Sequence, residues 1–174
     1  MNKAFFLDRD GIINKVILKE NKPFPPRHIN QFKYNDDLQE TLKYIKAKGY
    51  MIIIVTNQPD PIRGICDFQD VRDIHNKIIN EIEVDRIYSC FHTNDDECLC
   101  RKPKPGMIFQ AAYEFNIDLK QSYLIGDRWK DIEAGNLAGC KTIFVDYCYI
   151  ESKERKIQYD YKIDYIKEVI DLLL

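Results

Sequence analysis

The segment DRDG at residues 8–11 places Asp8 and Asp10 on either side of one arginine and follows them with a glycine. Far downstream, GDRWKD at 126–131 supplies Asp127 and Asp131. Carboxylates that converge in this way can hold a hard cation. Mg²⁺ prefers oxygen ligands and keeps several waters, which suits a phosphate substrate. VTNQ at 55–58 adds the Thr56 hydroxyl and the Asn57 and Gln58 amides, which can donate to phosphate oxygens. Arg101 and Lys102 supply positive charge for a dianion.

A second cluster is of softer chemistry. Cys90, His92, Cys98 and Cys100 fall within one short polar stretch that runs directly into Arg101 and Lys102. Three thiolates and one imidazole make a four-ligand tetrahedral zinc set. With every position filled by protein, such an ion keeps no open site for water and is structural. Because Cys100 precedes Arg101, fixing the cysteine fixes the start of the basic arm. A Cys98–Cys100 disulfide would be unusually tight. The acidic TNDDE stretch lacks the basic and aromatic surface of a nucleic-acid knuckle.

The elements that must position these groups are legible in the apolar pattern. AFFL (4–7), YMIIIVT (50–56), RIYSCF (86–91), SYLIG (122–126) and KTIFVD (141–146) read as buried strands. Helical periodicity begins at Asp36 through Leu38, Leu42 and Ile45, with Gly49 as a stop. It recurs over 67–82, after Pro105, over 130–139, and in a closing helix, IDYIKEVIDLLL. PFPPR prevents a regular helix within 12–35. Alternating strands and helices with continuous apolar strands predict a parallel sheet covered on both faces. Ligands bind at the carboxyl ends of such strands, where Asp8, Asp10, Thr56, Asn57 and Asp127 all fall.

The 174 residues suit one domain, and 45% hydrophobic residues suffice for a core. A net charge of -2 argues against nucleic-acid or membrane binding by bulk charge. The N-terminal apolar run is too short for a signal peptide or span, so the expected location is cytoplasmic. In a reducing compartment, clustered Cys and His bind metal more often than they form disulfides.

FFLDRDGIIN, VTNQ, CRKPKPGM and GDRWKDIEAGNLAG occur in the order and spacing of the haloacid dehalogenase-like phosphatases, which the chain resembles over residues 4–146. Its zinc loop resembles the histidinol-phosphate and heptose-bisphosphate phosphatase branch. The resemblance implies a Rossmann-like α/β fold over 1–174, with a minimal cap (a flap at about 12–35) and a zinc-stabilised loop at about 90–100. It implies Asp8 as nucleophile and Asp10 as general acid and base, with Thr56 and Lys102 holding the transferring oxygens. Asn57, Gln58, Arg101 and Arg128 would contact substrate. Mg²⁺ would be held by the Asp8 and Asp127 carboxylates and the Asp10 carbonyl. Zn²⁺ would be held by Cys90, His92, Cys98 and Cys100. The implied partner is a small phosphorylated sugar, most simply a heptose 1,7-bisphosphate, with no nucleic acid or membrane; oligomeric state is left open. Histidinol phosphate is the alternative substrate, and a non-catalytic zinc-loop binding protein the alternative class.

The chain departs from its relatives after TNQ, where Pro59-Asp60-Pro61 replaces Ser-Gly, and in the flap. Arg27 reads equally as a substrate contact or a solvated arginine. Asp131 reads as support for the metal site or a helix cap. His75 reads as a surface or capping residue, and Cys66, Cys140 and Cys148 as small buried side chains.

Overall fold

The computed structural model describes residues 1–150 and 156–174. Strands β1 (Ala4–Leu7), β4 (Met51–Asn57), β5 (Arg86–Cys90), β6 (Tyr123–Gly126), β7 (Lys141–Val145) and β8 (Tyr161–Ile163) form one sheet in the order β5-β4-β1-β6-β7-β8. Every pairing in it is parallel. The chain moves outward from β1 through β4 to β5, then returns to the other side of β1 with β6. The order therefore reverses between β1 and β6, and an open α/β sheet binds its ligand in the crevice at such a reversal.

The central strands are largely apolar because both faces are covered. Phe5, Leu7, Ile52, Ile54, Ile125 and Ile143 point to one face. There they pack against Leu38, Leu42 and Ile45 of α1 (Leu38–Ala47) and Ile74 and Ile78 of α2 (Phe68–Glu81). The alternate residues Phe6, Ile53, Val55 and Leu124 face the opposite side. They meet Met107, Ile108 and Ala111 of α3 (Gly106–Phe115) and Ile132 and Ala134 of α4 (Trp129–Ala138). This is the two-faced parallel sheet expected from the sequence.

Two segments differ from the periodicity reading. Within 12–35 the chain forms a hairpin of β2 (Ile17–Lys19) and β3 (Lys22–Phe24). Its turn residues Glu20 and Asn21 both have positive φ, at 50° and 58°, as a two-residue primed turn requires. The tail is not one closing helix. Tyr161–Ile163 joins the sheet as β8, and only Val169–Leu172 (α5) is α-helical, after a 3₁₀ turn. The Glu168 carboxylate accepts from the backbone N–H of Asp164 and Tyr165, which starts the helical turn there and leaves Ile163 extended opposite Val145. No helix among the described residues is long and apolar enough to cross a membrane.

Candidate active site

Asp8 is the first residue beyond β1, and its N–H donates to the Ile125 carbonyl of β6 at 3.0 Å. That bond sets it beside Asp127, the first residue beyond β6. Asp131 joins them from the first turn of α4, where its Oδ2 accepts from the Arg128 N–H at 3.1 Å. Carboxylate oxygens of Asp8, Asp127 and Asp131 lie within 4.8 Å of one another, and all three residues are buried. Two glycines permit this crowding. A Cβ on Gly126 would stand 2.2 Å from Asp131 Cβ, and one on Gly11, where φ is +101°, would stand 1.9 Å from Asp127 Oδ2.

Lys102 enters from the far side. Its Nζ lies 2.7 Å from Asp8 Oδ1, 2.6 Å from Asp131 Oδ1 and 2.7 Å from the Val55 carbonyl. One ammonium faces three buried carboxylates, so negative charge is in excess. Burial, partly offset by Lys102 and reinforced by Asp131 and Asp10, raises Asp8 to about 7. Burial and then the Asp8 and Asp131 charges raise Asp127 well above the carboxylate range. Both Asp127 oxygens are buried, and among the described residues the Tyr149 phenol is the one hydrogen-bond donor felt by the carboxylate. Buried carboxylate oxygens crowded among further carboxylates, with so few donors, are the set a hard divalent cation satisfies, so these residues fit Mg²⁺.

The zinc ligands also converge. Cys100 Sγ lies 3.3 Å from both Cys90 Sγ and His92 Nδ1 and 3.5 Å from Cys98 Sγ. Cys90 Sγ lies 3.6 Å from His92 Nδ1 and 3.7 Å from Cys98 Sγ. A tetrahedron with Zn–S bonds of about 2.3 Å has edges near 3.7 Å, so the four groups fit one zinc ion. Burial tends to raise the Cys98 thiol, but hydrogen bonds from the Arg101 backbone and the neighbouring thiols bring it down to about 7. Cys140 is buried and Cys66 half-buried, but Cys148 is exposed, with φ of +58°. Its loop beyond β7 keeps it outside the core, against the expectation of three small buried cysteines.

A cavity of about 480 Å³ opens over Asp8, Asp10, Asn57, Lys102 and Asp131. Arg27, Arg63, Arg101 and Arg128 stand along its walls, with the tip of the β2–β3 hairpin opposite. Arg101 donates to Asn94 Oδ1 and to the His92 carbonyl, both neutral acceptors. Burial chiefly lowers its hold on its proton, with the Cys90 and Cys98 charges opposing and the like charges of Arg63 and Arg128 adding to it. Arg27 is tied instead to Asp60 at 3.0 Å.

Three sequence-predicted residues sit behind the cavity wall: Thr56, Gln58 and Asp127 are buried and do not line it. Gln58 Nε2 donates to Asp10 Oδ2 at 2.6 Å and to Thr56 Oγ1 at 2.9 Å. Asn57 exchanges two 3.0 Å bonds with the Lys102 backbone, tying β4 to the basic arm. Sequence reasoning did not find Arg9, His75 or Tyr149. Arg9 is fully buried, and His75 Nε2 lies 3.2 Å from its Nη1. His75 falls on the Val71–Ile78 stripe at helical spacing, the one signal that could have placed it inward. Tyr149 is buried on the cavity wall, its phenol pushed up by burial and then by the Asp127 charge.

Comparison with known proteins decides the family. The HAD-hydrolase-like family model matches residues 99–169. The D-glycero-beta-D-manno-heptose-1,7-bisphosphate 7-phosphatase of Helicobacter pylori (strain ATCC 700392 / 26695) is 39% identical over 144 residues, covering 77% of this chain and 78% of the relative. The chain belongs to the haloacid dehalogenase-like phosphatases. A Pasteurella multocida phosphatase of the same name is 34% identical over 99% of this chain and 97% of its own length. Among solved structures, D,D-heptose 1,7-bisphosphate phosphatase from B. bronchiseptica, complexed with magnesium and phosphate, superposes with a TM-score of 0.85. That likeness covers 98% of this chain and 97% of that one at 24% identity. This haloacid dehalogenase-like phosphatase is therefore a phosphoric monoester hydrolase with a Rossmann-type sheet.

Proposed function

We propose that the chain is a Mg²⁺-dependent D-glycero-D-manno-heptose 1,7-bisphosphate 7-phosphatase. The observation that carries this reading is the pairing of the Asp8 carboxylate, on the cavity floor 2.7 Å from Lys102 Nζ, with a wall carrying four arginines. The floor suits one phosphoryl group. Arg27 and Arg63 share Asp60, at 3.0 and 4.0 Å, so the positive charge beyond what that group uses rests chiefly on Arg101, with Arg128 beside it; arginine is suited to bidentate phosphate contact. A second phosphate on the same small molecule answers it. The relatives named above act, by name, on such a bisphosphate.

In this reading Asp8 attacks phosphorus and the leaving sugar oxygen departs, giving an aspartyl-phosphate. Asp10 gives a proton to that oxygen, then takes one from the water that hydrolyses the acyl phosphate. Lys102 holds the transferring oxygens from the cavity floor, and the Thr56 hydroxyl, just behind that wall and bonded to Gln58, would turn its proton toward them. Asn57 fixes Lys102, Gln58 links Asp10 to Thr56, and Arg101 and Arg128 orient the second phosphate. Asp8, Asp127 and the Asp10 carbonyl would hold Mg²⁺, which would supply the charge neutralisation that lets an anionic nucleophile approach a dianion. Cys90, His92, Cys98 and Cys100 would hold Zn²⁺ and so keep Arg101 and Lys102 in place. We read residues 1–174 as one cytoplasmic domain, with 12–35 as its flap and 90–100 as its zinc loop.

The test is a comparison of kcat/KM, with Mg²⁺ present, for the heptose 1,7-bisphosphate, the heptose 7-phosphate and histidinol phosphate. The bisphosphate should be preferred, and Arg101→Ala should remove most of the preference. Equal rates for mono- and bisphosphate, or preference for histidinol phosphate, would overturn the substrate assignment.

A further inference from the structure

One buried polar chain is not used by the mechanism above. Arg9, between the two catalytic carboxylates, is fully buried. Its Nη2 lies 2.9 and 3.1 Å from the two oxygens of Asp10, and its Nε lies 3.1 Å from Oδ1. Nη2 also donates to Gln58 Oε1 at 2.9 Å. The opposite edge of the guanidinium faces α2, where Nη1 meets His75 Nε2 at 3.2 Å. A guanidinium has donors only, so Nε2 accepts and the imidazole is the neutral Nδ1–H tautomer. Burial, the Arg9 charge and the opposing pull of Asp10 leave His75 at about 4, in keeping with that form. Asn14 Nδ2 and Gln58 Nε2 complete the set of donors to Asp10, at 3.1 and 2.6 Å.

A planar guanidinium held along both edges cannot rotate about its own axis. Its carboxylate edge is therefore aimed by whatever sits on the other edge. Asp10 itself lines the cavity, so its place on the wall fixes where a proton is given or taken. α2 contributes no other residue to this cluster. We propose that His75 is a positioning residue for the reaction: from α2 it orients Arg9, which clamps the Asp10 carboxyl at the point of proton transfer. This rests on the reading of Asp10 as general acid and base.

The readout that separates positioning from simple stability is the leaving group. An alkoxide needs protonation as it departs, whereas 4-nitrophenolate does not. The quantity to measure is the ratio of kcat/KM for the heptose bisphosphate to that for 4-nitrophenyl phosphate. This ratio does not depend on the fraction of protein that is folded. Asp10→Asn should lower it by about a hundredfold or more, the scale of general-acid catalysis. His75→Leu, which removes the acceptor, should lower it by about tenfold, since small misplacements of a reacting group are costly. His75→Gln, which restores an acceptor, should return it to within about threefold of wild type. If Asp10→Asn lowers the ratio and His75→Leu does not, or if Gln fails to rescue, the positioning role is overturned and the phosphatase reading stands. If Asp10→Asn leaves the ratio unchanged, the Asp10 assignment falls and the His75 proposal falls with it.

Discussion

Lys102→Met removes one buried ammonium from among three buried carboxylates. The Nζ contacts to Asp8 and Asp131, at 2.7 and 2.6 Å, are each worth about 6 kcal/mol in gross Coulomb terms at an effective dielectric of ~20. Desolvation of the ions cancels much of that, and breaking such a buried set costs about 3–5 kcal/mol in practice. The residues left behind, Asp8, Asp127 and Asp131, have oxygens within 4.8 Å of one another, with only a minor opposing influence of Arg128 on Asp127. Metal-free Lys102→Met should therefore unfold at lower urea than wild type, with a loss of about 3–5 kcal/mol. Mg²⁺ binds only the folded carboxylate cluster, so it stabilises through linkage. Without the competing ammonium it should stabilise the variant more than the wild type. The folded variant should also lose about a hundred- to a thousandfold in kcat, the scale of a lost donor to a transferring oxyanion. A deficit below about 1 kcal/mol, or Mg²⁺ stabilising wild type and variant equally, would refute this electrostatic account of the floor.

Gly11→Ala forces a Cβ to within 1.9 Å of Asp127 Oδ2 at a φ of +101°. It should cost about 1–3 kcal/mol of stability by urea titration and at least about a hundredfold in turnover. The purified chain should contain about one zinc per molecule by elemental analysis. Cys98→Ser should lose it, melt at lower temperature and fall in activity as Arg101 and Lys102 lose their anchor. His75 is held neutral in the fold but protonates freely when unfolded, so between pH about 6.5 and about 4 the unfolded state binds more protons. This group alone lowers stability as pH drops through that window, by at most about 3 kcal/mol, against the opposite slope of Asp8 and Asp127, which take up protons in the fold. Denaturation at a series of pH values should therefore show the stability of His75→Gln relative to wild type rising as pH falls from about 6.5 to about 4.

The sheet was legible because a buried parallel strand must be apolar on both faces, and AFFL, MIIIV and YLIG can be little else. The positions of Asp8, Asp127 and Thr56 followed, since the last residues of such strands and the first ones past them meet at one rim. The Cys/His cluster was legible because four soft ligands in eleven residues constrain one another. The hairpin at 17–24 was not, because its turn places Glu20 and Asn21, without a glycine, at positive φ. The tail is misleading because Ile163, the first residue of the helical-looking IDYIKEVIDLLL, is extended as the end of β8, while α-helix forms only over Val169–Leu172. His75 was read as peripheral because its partner, Arg9, is brought to it only by the packing of α2 on the sheet. Side-chain direction was likewise hidden: Asn57 turns to the Lys102 backbone, and Gln58 turns inward to Asp10.

On the proposed mechanism Asp8 removes the phosphate at C7 of a heptose bisphosphate, and the anomeric phosphate serves for recognition. The direct measurement is ³¹P NMR of D-glycero-D-manno-heptose 1,7-bisphosphate incubated with the protein and Mg²⁺. The 7-phosphate signal should be replaced by inorganic phosphate while the anomeric signal persists, and Asp8→Asn should leave both esters intact. Persistence of both signals with wild-type protein, loss of the anomeric phosphate first, or turnover by Asp8→Asn would contradict the account.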